Sequence, residues 1–517
     1  MKAFLMYPDR DFQAAAELSP FVTAAIQDLG LEAVFVAMAG DDKFLRMVAE
    51  RAVTTSLVDP SVIRYRQDVL RDCLANETVV RTIYDLAIET IEKERKGFWG
   101  GLANHPSYLL HRAVEVLALF MDALRRLRAI AAGSGPAFQS AGFRRFFAML
   151  RDELSDEYFA TIERHLRMLR FRGGVLMNAG LGQGLKGETY TLRKPNDDEP
   201  GWIARIFGDS RPSYTYRLHP RDEAGARMLG ELRDRGINLA ANALSRSTDH
   251  ILSFLKLLRT ELAFYVGCIN LRRALSGLGE PHVFPLAAPA EGRDLSARGL
   301  YDVGLALTMG KRVVGNTLAA DGKSVLVVTG ANQGGKSTFL RSLGLATLMM
   351  QCGMFVAAEQ FSSAVCHGLF THFKREEDAS MQSGKLDEEL ARMSTIADHL
   401  EPHAMVLFNE SFSATNEREG SEIARQILRA LLEKKIRVCF VTHMYDFAHG
   451  VHESAAADAL CLRAERTADG TRTFRLIEGE PLETSFGPDL YEKIFGSDIE
   501  PAAEPRADPM VAYANRR

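Results

Sequence analysis

The chain lacks the features that would place it in a membrane, an oxidising compartment or a polycationic class. Its 517 residues contain no uncharged apolar run near the ~18 residues that a membrane-spanning helix needs. The N-terminal segment contains proline and charged residues too early to form the apolar stretch of a signal peptide. The six cysteines are scattered without a C-x-x-C pair, which predicts buried, reduced thiols in the cytoplasm. A net charge of −4 excludes a global nucleic-acid polycation but leaves local basic faces open.

What the sequence does contain is an ordinary globular composition, with 46% hydrophobic and 25% charged residues. We predict a helical core and lever region over residues 1–172, because Val79–Glu94 and Tyr108–Ile130 place apolar residues three and four apart. Residues 218–285 return to the same helical pattern. Between residues 101 and 174 there are eleven Lys/Arg against seven Asp/Glu, which fits either a solvated helix face or a DNA-facing stripe.

Residues 173–217 are predicted to form a small β-rich insertion. Glycines cluster there, and alternating runs follow at Thr189–Arg193 and Trp202–Phe207. Basic and aromatic residues are interleaved in these runs. That mixture suits a nucleic-acid surface, and it equally suits a half-buried sheet.

The second part of the chain, residues 286–495, alternates strand and helix as a parallel α/β sheet does. Prolines near position 285 break the chain before it, and residues 496–517 form a tail rich in Pro, Ala and Arg that we expect to be disordered. The predicted fold is therefore multidomain: a mainly helical region with a small β insertion, followed by an α/β domain.

A phosphate-binding loop is the most specific motif in the chain. Gly330–Ser337 reads GANQGGKS and matches G-x-x-x-x-G-K-[ST] without a mismatch. A β-rich run, Ser324–Thr329, leads into it and a helical run, Thr338–Gln351, leaves it, so backbone N–H groups should surround a phosphate. Lys336 would supply charge for the β- and γ-phosphates, and Ser337 a hydroxyl for Mg²⁺.

Two further strand ends complete a candidate site for phosphoryl transfer. Ala404–Phe408 is a buried-strand run that ends in Asn409 and Glu410. We expect Glu410 to orient the attacking water and Asn409 to join the Mg²⁺ shell through a neutral oxygen. The next strand, Arg437–Val441, leads to His443, whose imidazole could contact a γ-phosphate or that water.

Ser383 and Gly384 open another helix between these strands. A Ser-Gly pair at this place is a helix cap or an anion site. The predicted buried stripe of the helix consists of Leu386, Leu390, Met393, Ala397 and Leu400.

Together these motifs resemble the ATPase domain of the MutS DNA mismatch-repair family. The resemblance rests on TGANQGGKSTFLRSLGLATLMMQCGMFVAAE from Thr329 and on SGKLDEELARMSTIADHL, VLFNESFSATNEREGSEIA and VTHMYDFA over Ser383–Ala448. Ser485-Phe486-Gly487 resembles a short motif near the end of that domain, and VDPSVIRYRQDVLRDCL at residues 58–74 resembles the core region in outline.

The resemblance implies an ABC-type ATPase that uses ATP and Mg²⁺ in composite dimer sites. It makes Glu410 the Walker B glutamate, His443 the switch histidine, and Ser383 with Gly384 the signature loop that reaches the partner's ATP. Asn316 would lie near the adenine. The implied phosphate-loop residues are Gly330, Ala331, Asn332, Gln333, Gly334, Gly335, Lys336, Ser337 and Thr338.

Some features depart from the family pattern. Asn409 replaces an Asp, no glycine-rich run follows Glu410, and no Phe-x-Glu wedge or nuclease tail is recognised in the chain. We therefore expect a cytoplasmic, homodimeric ATPase that couples dimer closure to mismatched or structured DNA. The alternative is a nucleotide-switched protein with slow hydrolysis whose partner is a ribosome, a structured RNA or another protein.

Overall fold

The computed structural model describes residues 1–14, 19–96, 105–171, 174–194, 215–331, 333–375, 384–455, 457–467 and 472–482. Within them the chain forms two compact units. The helical unit comprises Met1–Pro289, Val303–Arg312 and Leu345–Val365. The α/β unit comprises Ala290–Asp302, Val313–Gly344 and the described residues from Cys366 onward.

The helical unit is built from ten helices in its described part. They are α1 (Pro20–Leu29), α2 (Glu32–Ala39), α3 (Lys43–Thr54), α4 (Pro60–Ala75), α5 (Glu77–Lys96), α6 (Pro106–Ser134), α7 (Ala141–Glu153), α8 (Asp156–Leu169), the long α9 (Glu223–Gly277) and α10 (Val303–Met309). A short parallel strand pair, β3 (Leu286–Ala288) with β7 (Gln360–Ala364), belongs to the same unit.

Local sequence sets the starts of these helices. The side chain of Asp42 accepts hydrogen bonds from the first backbone N–H groups of α3, and Ser140 does the same for α7. Pro60 at the first position of α4 follows Asp59, which caps that helix. The two predicted helices at Val79–Glu94 and Tyr108–Ile130 are confirmed as α5 and α6.

Packing of the helical unit centres on α9, which contacts both α5 and α6. Its buried residues include Ile251, Leu255, Leu258 and Leu262, which recur at helical spacing and form the stripe that faces the core. All six cysteines are free and buried, so the prediction of buried thiols is confirmed.

A small hairpin lies within the range predicted as a β-rich insertion. Strands β1 (Met177–Leu181) and β2 (Gly187–Leu192) pair antiparallel, and most of their residues are exposed. The predicted strand Trp202–Phe207 lies outside the described residues, as do residues 496–517.

Several arginines of the basic stretch have acidic partners. Arg126 pairs with Glu89, and Arg170 pairs with Glu115, each at 3.3 Å. Two more ion pairs join α6 to α8, namely Arg125 with Glu163 and Arg128 with Asp156. These exposed pairs favour the solvated-face interpretation over a continuous DNA-facing stripe.

The N-terminal segment is held in the helical unit by buried side chains. Arg66 of α4 is fully buried and donates from Nε to the Met6 carbonyl at 2.7 Å and from Nη1 to the Cys352 carbonyl at 3.2 Å. Glu261 of α9 is also fully buried, and its carboxylate accepts the Leu5 N–H at 2.7 Å. A buried charge is tolerated only when such partners replace water.

The α/β unit contains a six-stranded sheet in the order β12-β11-β6-β10-β9-β8. Its strands are β6 (Val325–Thr329), β8 (Leu369–Phe373), β9 (Met405–Asn409), β10 (Arg437–Val441), β11 (Ala459–Arg466) and β12 (Arg472–Glu478). All neighbours pair in parallel except β12, which pairs antiparallel with β11. Outside the six-stranded sheet, β4 (Leu295–Leu300) and β5 (Asn316–Ala319) pair antiparallel.

Helices connect these strands. They are α11 (Lys336–Gln351), which begins in the α/β unit, α12 (Lys385–Ala397), α13 (Glu417–Glu433) and α14 (Tyr445–Ser454). The predicted strands at Ser324–Thr329, Ala404–Phe408 and Arg437–Val441 are confirmed as β6, β9 and β10.

No single helix in the described part of the chain is long and apolar enough to cross a membrane. The helices α1 and α2, bent by 88° at their junction, meet that length and composition test only as a pair.

Glu261 should make the stability of the helical unit depend on pH. Burial raises the pKa of Glu261 from its ordinary value of 4.5 to about 7. The contribution of Glu261 to the unfolding free energy is therefore complete below pH 4.5 and is lost as pH rises towards 7. The unfolding free energy falls by about 3 kcal/mol over this range. In urea unfolding followed by circular dichroism, the unfolding free energy of Glu261→Gln minus that of the parental chain should rise across this window.

The matched control is Glu92→Gln, which changes an exposed carboxylate of α5. The rise for Glu261→Gln should exceed any change for this control. A difference that does not rise for Glu261→Gln, or that rises equally for Glu92→Gln, would contradict the assignment to Glu261.

Candidate nucleotide-binding and hydrolysis site

The phosphate loop lies between a fully buried strand and a helix. All five residues of β6 are buried, and α11 begins at Lys336. Between them Gly330 has φ 116° and Gly335 has φ 92°, which are left-handed conformations that favour glycine. A Cβ on Gly330 would lie 2.9 Å from the backbone nitrogen of Ala464, so the close approach of β11 also requires glycine. Asn332 lies outside the described residues.

Lys336 points into this loop. Its Nζ donates to the Gly330 carbonyl at 2.7 Å and to the Ala331 carbonyl at 3.0 Å. Burial lowers the pKa of Lys336, while the negative charge of Glu410 acts in the opposite direction. To reach a phosphate, the ammonium group would exchange these two neutral acceptors for charged oxygens.

A hydroxyl and an amide oxygen meet beside the loop. Ser337 Oγ donates to Asn409 Oδ1 at 2.9 Å, which joins the start of α11 to the end of β9. These are oxygen donors of the kind that Mg²⁺ accepts, and Mg²⁺ commonly uses one or two protein ligands plus phosphate oxygens. The described residues contain no cluster of three His, Cys, Asp or Glu side chains that could hold a metal alone. The donor set therefore fits a metal bound together with a nucleotide.

Glu410 follows Asn409 in a strained turn. Its φ is 54°, and its N–H donates to the Val441 carbonyl at 2.9 Å, which ties the end of β9 to β10. Ser413 Oγ donates to the Glu410 carbonyl at 2.7 Å. A non-glycine residue in this conformation is maintained only by such surrounding contacts.

His443 lies directly beyond β10. The preceding Thr442 is buried, and its N–H donates to the Val328 carbonyl of β6 at 3.1 Å. The Thr442 hydroxyl accepts the Met444 N–H at 3.0 Å. These contacts fix the backbone on both sides of His443, whose side chain is exposed.

The β11–β12 hairpin adds residues that the sequence did not predict at the site. Phe474 has φ 59° and is 48% exposed, and its carbonyl would lie 3.2 Å from a Cβ on Gly335. Arg472 Nη1 donates to Gln333 Oε1 at 2.7 Å. The signal in the sequence is weak, since it amounts to one aromatic residue between arginines in an alternating run.

Asn316 contacts this hairpin. Its Oδ1 accepts the Leu476 N–H at 2.7 Å, and its Nδ2 donates to the Phe474 carbonyl at 3.5 Å. The side chain thus holds β12 beside the phosphate loop, and an adenine contact by Asn316 stays a prediction.

The predicted buried stripe of α12 is confirmed at Met393 and wrong at Leu390. Gly384 is the N-cap and Ser383 lies outside the described residues. The buried residues of α12 are Glu389, Met393 and Ile396, whereas Leu390 is 36% exposed. The face is rotated because the Glu389 carboxylate accepts a buried backbone N–H from the turn after Glu410.

The buried parallel sheet and its loop define an α/β protein of the phosphate-loop class. Two family models match this chain: "MutS2 N-terminal domain" over residues 58–278 and "MutS domain V" over residues 326–496. The chain belongs to the MutS family, which is a family of ATPases.

Individual relatives agree with this assignment. Endonuclease MutS2 of Thermus thermophilus is 28% identical over 317 residues, which is 59% of this chain and 39% of that protein. MutS protein homolog 4 of Mus musculus is 31% identical over 155 residues, 30% of this chain and 15% of that protein. DNA mismatch repair protein MutS of Petrotoga mobilis is 28% identical over 182 residues, 35% of this chain and 22% of that protein. The chain therefore matches well under half of the length of these relatives.

Restoring a charge at position 409 should strengthen metal binding. Asn409→Asp places a carboxylate at the oxygen that contacts Ser337, and added ligand charge raises cation affinity. We expect the Mg²⁺ concentration for half-maximal nucleotide binding to fall on the order of threefold or more. A titration of Mg²⁺ against protein and fluorescent ATP measures this.

Ser337→Ala is the companion variant and should shift the same midpoint upward. If the Mg²⁺ midpoint does not change in either variant, Ser337 and Asn409 are not metal ligands.

Proposed function

We propose that this chain is a MutS-like DNA-binding ATPase that acts as a homodimer. In this proposal ATP binding closes the dimer, and closure is coupled to binding of mismatched or structured DNA. The observation that carries it is the Ser337–Asn409 contact of 2.9 Å, which joins the phosphate loop to the strand end that bears Glu410. The assignment to the MutS family supports the same proposal.

ATP would be held mainly by the phosphate loop. Backbone N–H groups from Gly330 to Thr338 would surround the phosphates, with Lys336 adding a positive charge. Ser337 and Asn409 would hold Mg²⁺, which neutralises phosphate charge when bound. Phe474 and Asn316, on and beside the hairpin, are the candidates for contacting the base.

Hydrolysis would depend on the two strand ends next to the loop. Glu410 would orient a water molecule and accept its proton, and His443 would contact the γ-phosphate or that water. The parallel pairing of β6, β10 and β9 supports this arrangement, since it brings their carboxyl ends to one edge.

A second copy of the chain would complete each site. Gly384 is exposed at the start of α12, so its helix N-terminus is accessible to a phosphate on another subunit. Each ligand would then shift the dimer by its difference in affinity for the open and closed forms.

DNA would be bound by the helical unit and its hairpin. The relative from Petrotoga mobilis is named a DNA mismatch repair protein, which supports DNA as the partner. Because several arginines of α6 are ion-paired, we expect phosphate contacts from exposed residues of the hairpin such as Lys186 and Arg193. The protein- or RNA-directed switch has no observation of its own that favours it.

Glu410→Ala should separate ATP binding from hydrolysis. We expect turnover to fall on the order of a hundredfold or more, because a positioned base is lost, while ATP still binds and holds the dimer closed. Steady-state ATPase assays and sedimentation with ATP measure both effects. Lys336→Ala is the contrasting variant and should lose tight ATP binding, and hydrolysis at the parental rate by Glu410→Ala would exclude the assigned role.

DNA should alter ATP turnover in the parental chain. We expect one of homoduplex, mismatched or branched DNA to change the ATPase rate, with DNA affinity falling linearly in log K against log salt concentration. The double change Lys186→Ala and Arg193→Ala should lower the salt slope by about two. Turnover indifferent to every DNA, together with no affinity at low salt, would instead favour the protein- or RNA-directed switch.

A further inference from the structure

A buried polar network joins α12 to the turn that follows Glu410. Glu389 of α12 is 8% exposed, and its carboxylate accepts the backbone N–H of Phe412 at 2.6 Å. The Glu389 carbonyl lies 3.0 Å from Nε2 of His372, at the end of β8. The other ring nitrogen, Nδ1, lies 2.8 Å from Ser411 Oγ.

The protonation of this network follows from burial. Burial lowers the pKa of His372 to about 4, so its ring is neutral at pH 7 and carries one N–H. The Glu389 carbonyl can only accept, which assigns that proton to Nε2. The Ser411 hydroxyl donates to the His372 carbonyl at 2.5 Å, and Nδ1, which carries no proton, is a second acceptor for the same hydrogen at 2.8 Å.

The turn held by this network is strained. Glu410 has φ 54° and Phe412 has φ 62°, and non-glycine residues rarely adopt this left-handed region. The Phe412 ring is buried and stacks on His372 with centroids 5.2 Å apart and planes at 22°. Surrounding contacts must therefore maintain the turn, and Glu389 supplies the one at the Phe412 N–H.

Helix α12 is tied to β8 at a second point. Arg392 Nη2 donates to the Phe373 carbonyl at 2.6 Å, one turn beyond Glu389. The helix begins just after Gly384, its N-cap, so Glu389 lies within the first two turns of the same rigid element.

We propose that Glu389 is a positioning residue for hydrolysis, whose carboxylate fixes the turn that directs Glu410. Through this carboxylate, the position of α12 in one subunit sets the orientation of Glu410 in that same subunit. A partner's nucleotide at Gly384 would therefore influence both composite sites. This inference rests on the proposed ATPase function.

The test compares Glu389→Ala with Glu389→Gln in the full chain, using Mg·ATP as the probe. In Glu389→Ala the Phe412 N–H loses its acceptor, so we expect kcat to fall on the order of tenfold or more. KM and the Kd for Mg·ATP should change by less than about twofold, because the phosphate loop is untouched. Glu389→Gln should recover most of kcat, since its amide oxygen can accept the same N–H.

Glu433→Ala is the matched control, because it removes an exposed carboxylate from α13 in the same unit. It should leave kcat and KM unchanged. Should Glu389→Ala not fold, Ser411→Ala replaces it and carries the same expectation, because it removes the hydroxyl that contacts His372.

The outcomes separate this inference from the proposed function. The positioning role alone is overturned if Glu389→Ala or its replacement keeps the parental kcat. It is also overturned if KM rises as much as kcat falls. A parental chain that shows no ATP turnover overturns the proposed ATPase and this inference with it.

Discussion

The parallel register of three neighbouring strands is the constraint on which the candidate site depends. Val441 of β10 stands opposite Val328 of β6 on one side and Asn409 of β9 on the other. Because parallel strands end at the same edge, this register places the phosphate loop, the Asn409–Glu410 pair and His443 at that edge. A shift of one residue in β9 would separate Ser337 from Asn409 and reverse the facing of each side chain.

The sheet requires apolar strand residues, whereas its carboxyl edge requires polar side chains and unusual backbone conformations. The strands are buried on both faces, which explains why β6, β8, β9 and β10 consist largely of apolar residues. At their carboxyl ends the chain adopts left-handed conformations at Gly330, Gln333, Gly335 and Glu410. The non-glycine residues Gln333 and Glu410 thus carry backbone strain at the edge where chemistry is proposed, and the packed sheet maintains it.

Much of this arrangement could be predicted from the sequence. The strands β6, β9 and β10 are short apolar runs followed by glycine or polar residues, so local pattern was sufficient to find them. The orientation of α12 could not be found in the same way. Hydrophobicity favoured Leu390 over Glu389 as the buried residue, whereas the actual face depends on a backbone N–H of Phe412, far along the chain. The approach of Phe474 to the loop likewise depends on antiparallel pairing of β12, which no local pattern specifies.

The close approach of β11 to the phosphate loop has a consequence for sequence variation. A Cβ on Gly330 would lie 2.9 Å from the Cβ of Ala464, and one on Gly334 would lie 2.8 Å from the same atom. The three positions share one small volume, although Ala464 is far from the loop in sequence. Residue 464 should therefore vary only among glycine and alanine wherever this loop keeps its shape. A larger residue at position 464 should occur together with a displaced β11. Changes at position 464 should therefore be correlated with changes at the phosphate loop.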